Sequence, residues 1–139
     1  AGAAHRTQYC VRRVLNELYS PQGFSGDEDN GEMASWYIFS ALGFYPFCPG
    51  HPSYVLGSPF FKKATVHLPN GKELIIEAPS NDAKNIYVQE VEVDGAAHPA
   101  ADIAHQVLAG GCILRFAMAD QPADNPCAPE HLPFSLSIK

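Results

Sequence analysis

One run constrains this chain more than any other: Glu32-Met33-Ala34-Ser35-Trp36-Tyr37-Ile38-Phe39-Ser40-Ala41-Leu42-Gly43. It predicts a helix that begins at Asp29 or Asn30, whose side chains suit an N-cap, and ends at Gly43, which readily turns left-handed. Met33, Trp36, Tyr37, Ile38, Phe39 and Leu42 cannot share one narrow stripe, so the helix is apolar almost all round and must be covered on several sides. Upstream, residues 5–19 set Val11, Val14, Leu15, Leu18 and Tyr19 on one helical face with Arg12, Arg13 and Glu17 pointing elsewhere, and Ser20-Pro21-Gln22-Gly23 stops that helix. The 139 residues offer no other long helix to finish the covering. The two helices therefore read as the end of a larger helical domain, and an isolated chain with that surface open should self-associate.

Past Pro46-Phe47-Cys48-Pro49-Gly50-His51-Pro52 the pattern becomes strand-like. Ala64, Val66 and Leu68 alternate with polar neighbours. Pro69-Asn70-Gly71 separates them from Leu74, Ile75 and Ile76, and Asn-Gly between two such runs predicts an antiparallel hairpin with a type I′ turn. Ile86, Val88, Val91 and Val93 form a third strand whose one-residue phase slip indicates a bulge, closed by Asp94-Gly95. Residues 103–108 suit a helical turn, Cys112, Leu114, Phe116 and Met118 a further strand, and residues 134–138 a last one.

With nine Lys and Arg against fifteen Asp and Glu, and no basic run longer than Arg12-Arg13, binding of nucleic acid through its phosphates is disfavoured. No stretch is apolar enough to span a membrane, and residues 1–6 lack the apolar centre of a signal peptide. Cys10, Cys48, Cys112 and Cys127 contain no Cys-x-x-Cys pair; they read as idle thiols, with two disulfides open to an exported protein. The six histidines are too dispersed for a metal site.

The chemistry concentrates at Asp27-Glu28-Asp29 and Glu32, four carboxylates at the mouth of the apolar helix. Asp29-x-x-Glu32 resembles a capping box, and anions at a helix N-terminus gain roughly 0.3–1 kcal/mol. One cap suffices for that, so the remaining charge asks for a counter-charge such as a metal or a substrate group. An EF-hand is excluded, because counting from Asp27 the Gly and Glu places hold Glu32 and Ile38. Trp36, Tyr37 and Tyr45 could stack on a sugar, although such aromatics more often serve a core.

Gly26-Asp27-Glu28-Asp29-Asn30-Gly31-Glu32-Met33, Trp36-Tyr37, Ala41-Leu42-Gly43-Phe44-Tyr45-Pro46, Cys48-Pro49-Gly50 and Tyr54-Val55-Leu56-Gly57-Ser58-Pro59 closely resemble glycoside hydrolase family ninety-two, the calcium-dependent α-mannosidases. Thr65-Val66-His67-Leu68-Pro69-Asn70-Gly71-Lys72 and the Gly110-Gly111 strand resemble the same family's C-terminal stretch, so the likeness runs in order over residues 23–118.

The resemblance implies an exo-acting, inverting hydrolase of terminal α-mannosides, mostly bacterial, acting on mannose-containing glycans outside the cytoplasm, in the periplasm or secreted. Its architecture would be a β-sandwich followed by an (α/α)6 barrel, with this chain a C-terminal part whose essential partners are the upstream barrel and sandwich of the same polypeptide. The fold class expected is α+β: residues 1–50 as two terminal barrel helices with the acidic loop, and residues 51–139 as an antiparallel β-rich module. By the same resemblance Asp27 and Asp29 match the Asp-x-Asp pair that serves as general base. Glu28 and Glu32 would support it or touch substrate. The acid is a Glu upstream, and a calcium ion is held by ligands that lie mostly upstream, with no metal ligand assigned in this chain; alone, the chain would be inactive.

Inversion needs two opposed carboxyl groups about 6.5–9.5 Å apart with water between, which Asp27 and Asp29 are too close in sequence to supply together; one acts as base and Asp29 is favoured. The rival reading is a noncatalytic carbohydrate-binding or structural β domain whose acidic loop only caps a helix.

Overall fold

The computed structural model describes residues 3–24, 26, 28–124, 127–135 and 137. Two helices lead, α1 (Ala4–Glu17) and α2 (Glu32–Leu42). They are followed by β1 (Phe44–Tyr45), β2 (Ser53–Leu56), β3 (Lys63–His67), β4 (Glu73–Glu77), β5 (Tyr87–Val93), β6 (Ala96–Ala97), β7 (Asp102–Ala104), α3 (His105–Ala109), β8 (Ile113–Ala119) and a 3-10 turn at Pro129–His131. The class is α+β, as expected.

The strands form two sheets, β1-β2-β7 and β3-β4-β8-β5-β6. The β-rich part is not wholly antiparallel: β4 and β8 run parallel, Ile76 opposite Leu114. After β4 the chain crosses to β5 and leaves a strand-wide gap between them. The β5–β6 hairpin, β7 and α3 then return it to the end where β4 starts, so β8 fills the gap in the direction of β4 and antiparallel to β5.

Period-two alternation sends Leu74, Ile76, Leu114, Phe116 and Met118 to one face, all buried, while Ile113, Arg115 and Ala117 are exposed on the other. That inner face shares one core with Phe44 and Ile103 of the small sheet, and Phe39 and Leu42 of α2 pack onto it. Leu42 is followed by Gly43 at φ 92°, where an added Cβ would sit 3.1 Å from Pro59; the Phe60 amide donates to the Ala41 carbonyl at 2.8 Å, so residues 57–60 close over the end of α2. β1 pairs with β2 across the proline-rich stretch, Phe44 opposite Leu56.

The anticipated hairpin forms, Lys63 opposite Glu77 and His67 opposite Glu73. Its turn is not type I′, because Asn70 does not take a positive φ. Pro69 presets the turn instead: the Gly71 amide donates to the Leu68 carbonyl at 3.0 Å and Gly71 alone goes left-handed, φ 79°, in the three-residue type I plus bulge pattern. The positive pair is Asp94-Gly95, φ 51° and 80°, joining β5 to β6. The bulge in β5 is present between Val88 and Glu90. No strand forms at Phe134 or Ser135, while Leu136 and Ile138 of that anticipated element lie outside the described residues. All four cysteines are free thiols.

The buried face of α1 is Gln8, Arg12 and Leu15, whereas Leu18, expected inside, is 47% exposed. Arg12, expected to point away, is 5% exposed. Its guanidinium donates to the Pro59 carbonyl, to Asn81 Oδ1 at 2.8 Å and to the Asp82 carbonyl at 3.1 Å, and it lies over the Phe60 ring at 5.0 Å. Gln8 Oε1 accepts from the Val88 amide at the β5 bulge, 3.2 Å. Polar side chains could bury here because β5 and the loops beside it present unpaired backbone groups, which outweighed helical amphipathicity as the rule for orientation.

Candidate active site

The loop between α1 and α2 carries the acidic cluster. It leaves α1 through a tight turn in which the Gly23 amide donates to the Ser20 carbonyl at 3.1 Å, and re-enters helix through consecutive left-handed residues, Asn30 at φ 55° and Gly31 at φ 86°. The helix starts later than anticipated, at Glu32, with Gly31 as a cap that has no side chain to offer. Neither Asp29 nor Asn30 caps it.

Glu28 does so instead, its Oε2 accepting the Ala34 amide at 3.1 Å. That single carboxylate both satisfies an orphan donor of the first turn and meets the positive end of the helix dipole. Asp29 touches α2 through its backbone, its carbonyl accepting from the Glu32 amide at 3.1 Å. Among the described residues its carboxylate meets only the Asn30 side-chain amide, at 3.5 Å. Asp29 and Glu32 are exposed to solvent. Asp27, the other anticipated base, lies outside the described residues.

Aromatic rings back this loop. Tyr19, at its start, stacks on Trp36 at 5.7 Å and 13°, leans on Tyr37 at 5.1 Å, and meets Phe24 edge-on at 5.7 Å. The Tyr19 hydroxyl donates to the Met33 carbonyl at 3.1 Å. Burial raises the phenol's pKa, and the nearby carboxylates of Glu28 and Glu32 raise it further. Trp36 and Tyr37 are thus engaged with a protein ring. Tyr45 faces Phe39 edge-on at 6.4 Å.

Neither Tyr19 nor Phe24 stands out in the sequence as a site residue. Tyr19 passes in sequence for the fifth apolar position of α1, but it stands two residues beyond the helix end, which Pro21 foreshadows. Among the described residues no group of three or more His, Cys, Asp or Glu side chains is placed to hold a metal ion.

The family model described as the glycosyl hydrolase family 92 catalytic domain matches residues 1–120. The structure of the family GH92 inverting mannosidase BT2199 from Bacteroides thetaiotaomicron is similar with TM-score 0.86 and 40% identity, over 96% of this chain and 18% of that one. The family GH92 α-mannosidase BT3965 of the same species, also solved with mannoimidazole, is similar with TM-score 0.88 and 33% identity, over 94% of this chain and 18% of that one. A protein of Arthroderma benhamiae described as an uncharacterized secreted glycosidase is 26% identical over 117 residues, 82% of this chain and 15% of its own. The chain thus spans less than a fifth of the length of each of these relatives. A catalytic-domain match over most of the sequence, with an acidic loop set at the mouth of an apolar helix and likeness to two mannosidase structures along nearly the whole chain, means that this protein belongs to glycosyl hydrolase family 92.

Proposed function

We propose that this chain is the C-terminal part of an inverting, exo-acting α-mannosidase and supplies its general-base loop, with terminal α-mannosides of glycans as substrate. The observation that carries the reading is the division of labour among the carboxylates. Glu28 performs the helix-capping duty, which leaves the Asp29 carboxylate exposed, with only an asparagine amide at 3.5 Å among the described residues. A base must hold a lone pair toward water, and a carboxylate already committed to backbone amides would be a poor one. Asp27 and Asp29 form the base pair of the proposal, one accepting the proton of the attacking water and the other orienting it. Glu28 is reassigned to shaping the loop, and Glu32 to supporting charge.

Two similar proteins are mannosidases, one described as inverting. The acid that protonates the leaving oxygen, about 6.5–9.5 Å across the sugar, belongs in this reading to an upstream segment, and so do the ligands of the calcium ion that would hold the mannose. Residues 1–50 would be the end of an (α/α)6 barrel and residues 51–139 its β-rich buttress. The division is one of role rather than separate folding, because β1 and β2 pair across it. Likeness to a protein described as secreted supports action outside the cytoplasm. The isolated chain, lacking the acid, should turn over no mannoside.

The test uses the full-length enzyme. Asp27→Asn or Asp29→Asn keeps the shape and removes the proton acceptor, so kcat should fall by roughly 10²–10⁴ with KM little changed. Proton NMR of the first turnovers should show the β-anomer of mannose. Near wild-type kcat in both variants would remove the base from this loop and favour a merely structural one.

A further inference from the structure

We propose that Tyr19 is a positioning residue: its hydroxyl, bonded to the Met33 carbonyl, closes the acidic loop into the shape that presents the base. This rests on the reading of that loop as the source of the base. Among the described residues between α1 and α2 no helix or strand element forms, and chain entropy favours many shapes for a connection of that length. Tyr19 stands where the loop departs and Met33 where it returns, and the 3.1 Å bond between them ties the two ends together.

The phenol is itself held. Trp36 stacks on it, Tyr37 leans on it and Phe24 meets its edge, all within 5.7 Å between ring centres. A hydroxyl on a ring fixed from three sides sets the geometry of its partner rather than following it. Glu28 adds a second tie from inside the loop to the same peptide unit, accepting its Ala34 N–H while Tyr19 donates to its Met33 carbonyl. Both bonds converge on the first turn of α2, and Asp29 follows Glu28 directly. A phenol is protonated at neutral pH in any case, hence a donor, and burial raises its pKa further.

Tyr19→Phe removes one oxygen and keeps the stacking. The experiment is steady-state kinetics of the full-length enzyme on a mannoside, for wild type, Tyr19→Phe, Asp27→Asn, Asp29→Asn and the two double variants. Tyr19→Phe should lower kcat by about 10- to 100-fold with KM within about twofold of wild type. Added to whichever aspartate variant loses more activity, it should cost less than about twofold further, because the base it positions is already gone. Tyr19→Leu, which also removes the stacking, should lower both kcat and the melting temperature.

Wild-type kcat in folded Tyr19→Phe overturns the inference. So does an equal loss in both backgrounds, which marks a structural effect that does not act through the base. If Asp27→Asn and Asp29→Asn are both near wild type, the base-loop reading itself has failed and this inference falls with it; a large loss in one of them with none in Tyr19→Phe overturns this inference alone.

Discussion

Arg12→Met tests whether a single cation fastens α1 to the β-rich part. Methionine keeps most of the stem volume and removes three donated hydrogen bonds, to the Pro59 carbonyl, Asn81 Oδ1 and the Asp82 carbonyl. Pro59 is fully buried and Asn81 is 3% exposed, so both acceptors stay dry when the guanidinium goes, at about 1–3 kcal/mol each. Asp82 is at the surface and its carbonyl rehydrates. Against this, the substitution relieves the burial of a charge whose pKa is lowered by desolvation and whose Nε has no partner. The net loss comes to about 2–4 kcal/mol, below the usual figure for stranding a buried charge because here the charge itself is removed. Hydrogen exchange on the full-length protein reads this locally: amides of residues 57–62 and 79–88 should exchange roughly 30- to 1000-fold faster, while those of β8 change little. Arg12→Lys should be nearly as damaging, because one ammonium cannot reach three acceptors set out for a planar fork. Exchange in those segments within about threefold of wild type would show that apolar contacts at Leu15 and Phe60 hold α1 unaided.

Gly71 and Gly111 both sit at positive φ, but an added Cβ finds open space at Gly71 and at Gly111 lies 2.8 Å from Lys72 Cβ and 2.9 Å from the Glu73 carbonyl oxygen. Gly71→Ala should cost about 1–2 kcal/mol and Gly111→Ala clearly more; equal shifts in melting temperature would refute the steric account. Glu28→Ala should lower the stability of the first turn of α2 by about 1 kcal/mol whereas Asp29→Asn leaves it intact, and the opposite order in exchange at residues 34–36 would return the cap to Asp29. Hydrogen bonds from Arg115 and then Lys63 lower the pKa of Glu77, and the amides of Asn85 and Lys84 lower that of Asp82. Both groups therefore lend stability above the carboxylate pKa of the unfolded chain, about 3.9–4.3, and it is lost as the pH falls through the lower folded values. Glu77→Gln and Asp82→Asn should flatten the acid limb of a stability profile and converge with wild type below it; an unchanged limb in both refutes the assignment.

What the sequence determined by itself is what depends on near neighbours along the chain. The run from Glu32 to Leu42 makes a helix ended by Gly43, and alternation at Leu74, Ile76, Leu114, Phe116 and Met118 picks the buried face of the large sheet. The phase slip in Val88 and Val91 marks the bulge, since period two leaves no other way to keep both side chains inward. The acidic cluster and its matching residues located the candidate site because its carboxylates are contiguous. Tertiary structure decided whatever rests on a partner distant in sequence. Arg12 is charged and reads as a surface residue, but the buried acceptors at Pro59 and Asn81, far along the chain, make its burial favourable. Glu28 rather than Asp29 caps α2 because the left-handed turn at Asn30 and Gly31 aims it back at Ala34, and backbone handedness there is not written in the residue types alone. Tyr19 belongs to the loop rather than to α1 because Trp36 and Met33 meet it across the turn. β8 runs parallel to β4 because the gap between β4 and β5 was open to it, a condition set by the path of the whole chain.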